Sequence, residues 1–317
     1  MTPRRGFALM AALWLIVAIS AVSMEIAIVA RDRRLTAANS LEGAAVRSAA
    51  QSGVEHARAR LVGLLTQGGD RRSWNDVDAI ADPWHRLGAL LADSNPVGRA
   101  AYRVFVSDLG ARLNVNRATE DDLRRFFAAE RIDAGTADLL AQSIMDWSDR
   151  DDFHRVRGAE REWYLAAGAE VLPRNGPFES VDELRFVRGM TPATLARVRQ
   201  DLTVSGSGQV NINSAPRAVL LALPGMTEVA ADMIERAHMA QRRITSVQDL
   251  TTLLPSQARA PLERDIARLL PRLTFATSEV EVVSEGWEPG SPLRARTIAV
   301  IARGGPTAFV TWRRTQL

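Results

Sequence analysis

The sequence contains no cysteine and no lysine. Without cysteine, disulfide bonds and thiolate metal ligands are excluded. The absence of cysteine does not distinguish a cytoplasmic protein from a periplasmic one. All 40 basic side chains are arginines, which explains an isoelectric point of about 10.3 beside a net charge of only +3. Because 37 acidic residues nearly balance the arginines, the composition is weak support for nucleic-acid binding.

Charged residues are absent from Phe7 to Met24, and glycine and proline are absent until Gly43. An apolar run of eighteen residues reaches the lower length limit for crossing a membrane. After Arg34 the apolar residues recur at helical spacing. We predict a single helix from about Phe7 to Leu65, with its first third in the membrane.

The residues before this apolar run are unusual for a secreted protein. Arg4, Arg5 and Gly6 stand directly before it. An ordinary secretory signal places its small-residue cleavage site after the apolar run. The Ala-Val-Ser sequence at 21–23 fits such a site faintly. A cleaved signal peptide and a plain membrane anchor are therefore both alternatives.

The middle of the chain contains an internal repeat. The sequence LNVNRATEDDL at 113–123 matches VNINSAPRAVL at 210–220, and FESVDEL at 178–184 matches ITSVQDL at 244–250. Two related helical units in tandem are therefore predicted. The first unit is longer by about 31 residues, which include the acidic stretch DWSDRDDFHRVRGAEREWY at 146–164.

Acidic residues are crowded in this extra stretch. Carboxylate oxygens at loop spacing suit Ca²⁺, although the EF-hand pattern is missing. One alternative is a solvated acidic loop whose charge is offset by its own arginines. Another is a membrane-anchored hydrolase with paired carboxylates, although no nucleophile or substrate motif accompanies them. The candidate metal ligands are Asp146, Asp149, Asp151, Asp152 and Glu160.

Two short sequences, VRGMTP at 187–192 and LPGMTE at 223–228, resemble helix-hairpin-helix turns. Such turns often bind DNA phosphates through backbone N–H groups. Threonine replaces their usual second glycine here, and residues 111–170 carry 9 arginines against 13 acidic residues. A DNA-binding face should be clearly basic. We therefore expect no nucleic-acid partner. The alternative function, in which the turns do bind DNA, is that of a DNA-binding minor pilin of an uptake system.

Alternating apolar and polar residues predict four antiparallel strands, at 100–116, 275–286, 294–303 and 307–314, and the first stretch is expected to turn at Asp108-Leu109-Gly110. The first precedes the helical units and the others follow them. The helical units are therefore predicted to interrupt a small α+β domain. Residues 66–99 are predicted to form a loop with short helices.

Together the RRGF start, the LNVN and VNIN sequences, the acidic stretch and FESVDELRFVRGMTP resemble the general secretion pathway protein K family, the large minor pseudopilins of type II secretion systems. The resemblance implies an α+β fold with a pilin-like long N-terminal helix packed on a small antiparallel sheet. It also implies a large all-α insertion that contains the helix-hairpin-helix-like repeats. The implied segments are a prepilin-type leader at 1–6, a transmembrane and filament-core helix at 7–30, the pilin-like domain at 31–111 and 274–317, and the inserted helical domain at 112–273.

The resemblance further implies how the amino terminus is processed. A prepilin peptidase would cut after Gly6, and Phe7 would then be N-methylated. Most pilins have glutamate as the fifth mature residue, whereas this chain has Ala11 there. That glutamate is thought to meet the amino terminus of the subunit ahead. A subunit that lacks it suits the tip of a filament.

The implied function is structural and not enzymatic. The chain would cap the secretion pseudopilus, initiate its assembly with minor pseudopilins of the I and J classes, and support export across the outer membrane. Further implied partners are the prepilin peptidase, the secreted substrate and the outer-membrane secretin. The implied location is the bacterial inner membrane, with a single span and most of the chain in the periplasm. The family also binds calcium in the helical insertion, which we expect at the acidic stretch.

Overall fold

The first element is a continuous helix of which only the second half is packed. Helix α1 runs from Arg4 to Gln67, so the helix predicted from Phe7 to Leu65 is confirmed. The computed structural model describes residues 4–67, 94–240, 242–305 and 307–317, with the side chains of residues 4–9, 11 and 64–67 left out.

The N-terminal half of α1 has an apolar surface with no protein against it. Its large side chains between Met10 and Val29 are exposed, including Trp14 at 71%. Among the described helices, α1 is the one that is long and apolar enough to cross a membrane, judged by length and composition. Exposing such a surface to water costs about 25 cal/mol per Å². This half of α1 is therefore a candidate membrane anchor.

The remaining elements form one larger sheet and a helical insertion. Short 3-10 turns join several of them. In chain order the strands and helices are β1 Asn95–Val97, β2 Ala100–Asp108, β3 Leu113–Asn114, α2 Glu120–Ala129, α3 Ala134–Ser148, α4 Arg161–Ala166, α5 Pro192–Val198, β4 Leu202–Thr203, β5 Val210–Asn211, α6 Arg217–Ala222, α7 Glu228–Met239, α8 Val247–Leu253, α9 Ser256–Arg264, α10 Ile266–Leu269, β6 Leu273–Thr274, β7 Glu279–Trp287, β8 Arg294–Gly304 and β9 Thr307–Gln316.

The larger sheet has five strands in the order β1-β2-β7-β8-β9, and all neighbours are antiparallel. The four predicted strands are confirmed as β2, β7, β8 and β9. The turn predicted at Asp108-Leu109-Gly110 is confirmed, because β2 ends at Asp108. The next residues form a 3-10 turn at 109–111, capped by the Asp108 side chain. Most of the loop predicted at 66–99 lies outside the described residues, and β1 forms at its end.

Helix α1 packs closely on this sheet at two glycines, Gly286 of β7 and Gly53 of the helix. Every second residue of β7 from Val280 to Gly286 faces the helix and is buried. A Cβ atom on Gly286 would lie 2.3 Å from the Val46 carbonyl oxygen. A Cβ atom on Gly53 would lie 2.0 Å from Ser284 Oγ. Glycine at both positions lets the two backbones approach closely.

The insertion between β2 and β7 has its own hydrophobic core. That core extends from Leu113 to Leu273, and a separate core forms between α1 and the sheet. Two small parallel sheets, β3 with β4 and β5 with β6, mark the ends of the two helical units. The domain boundaries themselves stay predictions.

Hydrogen bonds of matching asparagines confirm the internal repeat. Asn116 Nδ2 donates to the carbonyl of Phe178, and its Oδ1 accepts the Phe178 amide. Asn213 makes the same two bonds with Ile244. The partners lie 62 residues apart in the first unit and 31 in the second. The extra residues of the first unit are therefore enclosed between equivalent positions.

Asp108 joins the sheet to the insertion. Its Oδ1 accepts the Gly110 amide at 2.8 Å. Its Oδ2 accepts bonds from Asn211 Nδ2 at 2.8 Å, Ser214 Oγ at 2.7 Å and Thr277 Oγ1 at 2.9 Å. One carboxylate therefore holds the chain where it leaves the sheet, where it returns, and where the second helical unit begins.

Replacing Gly53 by alanine should destabilise the contact between α1 and the sheet. The added methyl group would collide with Ser284 Oγ and lie 2.8 Å from Tyr102 Cδ2. Overpacking of this kind costs about 1–3 kcal/mol. We expect a matching fall in the free energy of unfolding, measured by chemical denaturation of the full chain in detergent micelles.

Gly63→Ala is the matched control in the same helix. A Cβ atom there meets nothing within 4 Å. Because alanine is favoured over glycine in helices by about 1 kcal/mol, this variant should be neutral or slightly more stable. Equal stabilities for the two variants would contradict the close packing at Gly53.

Candidate metal centre

Three carboxylates of the acidic stretch meet between the end of one helix and the start of the next. Asp146 lies in the last turn of α3, Asp149 caps its C-terminus, and Glu160 is the N-cap of α4. One oxygen from each lies within 4.8 Å of the others. Asp146 is fully buried and Glu160 is 4% exposed. This arrangement is a candidate site for a cation.

The loop between these helices folds back tightly onto Asp146. A Cβ atom on Gly158 would lie 1.8 Å from Asp146 Oδ2, so only glycine fits there. The Arg155 amide donates to the same oxygen at 3.0 Å, and the Gly158 amide donates to the Arg155 carbonyl at 3.0 Å. The glycine at 158 thereby allows the loop to cover the carboxylate.

Arg155 neutralises only part of the negative charge. Its Nη1 lies 2.5 Å from Asp146 Oδ1 and 2.7 Å from Asp149 Oδ2. Both oxygens of Glu160 and Oδ1 of Asp149 are buried without a hydrogen-bond partner. A buried carboxylate without partners is strongly unfavourable. One guanidinium against three carboxylates therefore leaves room for a further positive charge.

The α3 helix adds to this imbalance. Its C-terminus carries the negative end of the helix dipole, where acidic residues are destabilising. Asp146 and Asp149 nevertheless lie there, and no basic residue belongs to the last turn. A bound cation would offset both the carboxylates and the dipole.

The pKa of Glu160 reflects these surroundings. Burial raises the pKa of its carboxyl group, and the nearby charges of Asp146 and Asp149 raise it further, to about 7. Without a cation, Glu160 would therefore be protonated on a large share of molecules at neutral pH. Burial of Glu160 beside other carboxylates, with no partner for its own oxygens, therefore accounts for the raised pKa.

The other two predicted ligands are placed differently. Asp151 and Asp152 are exposed. Asp151 Oδ1 accepts the Phe153 amide at 2.9 Å, and Asp152 Oδ1 accepts a bond from Asn175 Nδ2 at 3.2 Å. The structure does not bring them into the group of three carboxylates. Metal ligation by any of the five residues stays a prediction.

Some residues of the site were missed by sequence reasoning. Of the four arginines expected to offset the acidic stretch, Arg155 alone pairs with any of the grouped carboxylates within the described part of the chain, and it pairs with Asp146 and Asp149. Glu120, at the start of α2, lies 3.5 Å from Arg155 Nε. Gln142 accepts the Arg157 amide at 2.7 Å. Glu120 and Gln142 are distant in sequence from the loop, so local spacing carries no signal for them.

The hairpin turns use their polar groups within the protein. The Met190 amide donates to the Val187 carbonyl, and the Met226 amide donates to the Leu223 carbonyl. The side chain of Arg188 donates to the Gly158 carbonyl at 2.9 Å, which ties the first turn to the acidic loop. This gives the turns a structural role.

The predicted processing residues lie in α1. The backbone of Gly6, Phe7 and Ala11 is helical, and the side chains of all three are outside the described part of the structure. Cleavage after Gly6 and N-methylation of Phe7 stay predictions.

The metal-free protein should lose stability between pH 4.5 and 7 because of Glu160. The folded state raises the pKa of this carboxyl group from 4.5 to about 7, so it binds the proton more tightly than the unfolded chain does. The contribution of this bound proton to the free energy of unfolding is therefore complete below pH 4.5 and is lost as the pH rises through about 7. Chemical denaturation in the presence of a chelator should show this fall relative to Glu160→Gln, which stays uncharged.

Asp152→Asn is the matched control for this titration. It removes an exposed carboxylate whose charge contributes less to the raised pKa of Glu160 than burial does, so the fall in stability should remain and end at a slightly lower pH. If the wild type and Glu160→Gln instead showed parallel stability curves, the raised pKa of Glu160 would be wrong.

Comparisons with known proteins agree on one family. The family model described as Type II secretion system (T2SS), protein K matches residues 103–206. A Type II secretion system protein K from Klebsiella pneumoniae is 32% identical over 176 residues. That alignment covers 52% of this chain and 53% of the relative, so the chain spans about half the length of this curated protein.

A solved structure shares the fold. A chain in the crystal structure of the GspK-GspI-GspJ complex from the enterotoxigenic Escherichia coli Type 2 Secretion System superposes with a TM-score of 0.67 at 19% sequence identity. The superposition covers 90% of this chain and 99% of that chain. The predicted α+β, pilin-like fold with a helical insertion is thereby confirmed.

The matched family segment runs from within β2 to the residues after β4. It therefore contains the first helical unit, which includes Asn116, the acidic stretch and the three grouped carboxylates. In this match, in the curated relative and in the shared fold, the chain is similar to type II secretion system protein K.

Proposed function

We propose that this protein is a minor pseudopilin at the tip of the type II secretion pseudopilus. In this role it initiates assembly with minor pseudopilins of the I and J classes and supports protein export across the outer membrane. The observation that carries the proposal is the form of α1, which is uncovered and apolar in its first half and packed on the sheet in its second half. The role is structural and requires no catalysis.

The uncovered half of α1 can lie in two environments. In the inner membrane, lipid covers its apolar side chains, and most of the chain lies in the periplasm. In a filament, the helices of neighbouring subunits cover the same surface. Cleavage after Gly6 would keep the whole apolar helix in the mature protein. Ala11 has no carboxylate to pair with a subunit ahead, which supports a position at the tip.

The helical insertion supports the same position. It adds a second hydrophobic core beside that of the pilin-like part, and such a bulk would prevent further subunits from stacking above it. The structural relative was crystallised as a complex of GspK with GspI and GspJ. This supports partners of the I and J classes for the present chain. The secreted substrate and the outer-membrane secretin are the partners proposed for the insertion.

We further propose that calcium binds at the acidic stretch. Asp146, Asp149 and Glu160 would hold it, because they supply hard oxygen donors and include three buried oxygens without partners. Bound calcium would supply the positive charge that Arg155 alone does not provide. The chain's own part is to position these carboxylates between α3 and α4 and to exclude water from them.

Blocking the leader cleavage tests the pseudopilin assignment. Gly6→Leu places a bulky side chain at the proposed cleavage site. We expect the intact mass of the chain recovered from membranes to include residues 1–6 and secretion to stop. The wild-type chain should begin at methylated Phe7.

Thr2→Leu makes a change of similar size within the leader and should leave processing and secretion normal. Normal processing of Gly6→Leu would contradict the leader assignment. A wild-type chain that begins near residue 24 would instead indicate an ordinary signal peptide, and an uncut chain would indicate a plain membrane anchor.

Calcium should stabilise the full chain against thermal unfolding, because a ligand that binds only the folded state shifts the unfolding equilibrium. At about 100 times the dissociation constant, the shift corresponds to about 2.7 kcal/mol. Glu160→Gln and Asp149→Asn should each lose most of this stabilisation.

Asp151→Asn and Asp152→Asn serve as matched controls for the calcium experiment. Their carboxylates lie outside the grouped three, so both variants should keep the response to calcium. Calcium stabilisation that survives in Glu160→Gln, or that disappears equally in all four variants, would be inconsistent with the grouped carboxylates as the site.

A further inference from the structure

We infer that the outer edge of strand β9 binds an acidic, extended segment of a partner protein, which adds to the sheet as a sixth strand. The binding surface consists of the edge residues Trp312–Gln316 together with the free arginines Arg296 and Arg314. This surface is separate from the carboxylates of the candidate metal centre. The inference does not depend on calcium binding or on the tip role.

The two edges of the sheet differ strongly. Strand β1 has only three residues and contains Pro96, which lacks a backbone donor. Strand β9 has ten residues and no proline, and in the described sheet its only neighbour is β8. A long edge strand presents a row of backbone N–H and C=O groups that can pair with another chain. The β9 edge is therefore the one that can accept a further strand.

A β-bulge limits the usable part of this edge. The register between β8 and β9 shifts between Val300 and Ile301. Beyond the shift, pairing is regular from Trp312 opposite Val300 to Gln316 opposite Arg296. Bulges twist an edge and interrupt pairing. The regular part is five residues long, or about 17 Å, which matches a typical strand.

Two cavities border this part of the edge. They have volumes of about 530 Å³ and about 420 Å³, and Trp312 and Arg314 line both. Glu179 and Ser205 of the insertion also line both cavities. Trp312 is 39% exposed, so its ring is available to an incoming apolar side chain. The edge therefore opens into a cleft between the sheet and the insertion.

The charges of the cleft select an acidic occupant. Arg112 pairs with Glu281, and Arg199 pairs with Asp182. Arg296 and Arg314 line the second cavity, are exposed, and form no ion pair within the described residues. Ile298 lies opposite Arg314, and Arg296 lies opposite Gln316, so the two free arginines are diagonal neighbours.

Diagonal like charges repel each other, and an anion between them would relieve this repulsion. Strand addition supplies affinity through backbone hydrogen bonds, while side-chain contacts supply specificity. An extended segment with acidic side chains at alternate positions would satisfy both requirements. It would pair with the edge of β9 and place its carboxylates on one face, next to Arg296 and Arg314.

The probe for this inference is a fluorescein-labelled peptide of about eight residues that alternates valine and glutamate. Binding to the full chain in detergent micelles is followed by fluorescence polarisation. We expect saturable binding that weakens at least tenfold in the Arg296→Gln, Arg314→Gln double variant. The Arg264→Gln, Arg268→Gln double variant removes two exposed arginines elsewhere and should bind as the wild type does.

Two N-methylated peptides then separate strand addition from simple charge attraction. In each peptide, alternate backbone nitrogens are methylated. The first peptide carries its methyl groups along one edge of the extended chain, and the second peptide carries them along the opposite edge. We expect one of them to lose binding and the other to keep it, since only one edge of the peptide pairs with β9. Absence of binding, equal binding by both methylated peptides, or equal loss in the two double variants would overturn the inference.

Discussion

The close approach of helix α1 to the sheet is the contact on which the other parts depend, with backbone against backbone at Gly286 and the helix against Ser284 and Tyr102 at Gly53. It holds the second half of the helix, whereas the first half is apolar and exposed along its length. Lipid or neighbouring helices can cover the apolar first half, because the second half alone carries the folded part.

The sheet in turn determines where the insertion lies. Strands β2 and β7 are neighbours in the sheet, so both ends of the insertion emerge side by side. Asp108 converts this proximity into a fixed connection, because its carboxylate bonds to Asn211, Ser214 and Thr277. Two asparagines, Asn116 and Asn213, repeat a similar closure inside each helical unit. The molecule is therefore joined by short polar contacts between separately packed apolar cores.

Patterns that repeat along the chain made most of this fold predictable from sequence. The uninterrupted apolar run predicted α1, alternation predicted the strands, and the spaced asparagines predicted the two helical units. The turn at Asp108 was predictable as well, but the hydrogen bonds of its carboxylate with residues about 100 positions away were not. For the same reason the sequence indicated five carboxylates, whereas the fold groups only Asp146, Asp149 and Glu160. Burial and the return of Gly158 onto Asp146 decide which of them meet.

The two helical units also show why the candidate cation site lies in the first one. In the second unit, the chain passes from Asn213 to Ile244 within 31 residues, which leaves room only for the packed helices. In the first unit, the same closure spans 62 residues, so the added residues can leave the core without disturbing it. They return at Glu160, whose carboxylate is buried without a partner. The buried rings of Trp147 and Tyr164 anchor the two ends of this segment, so the uncompensated carboxylate between them is the feature that a bound cation would stabilise.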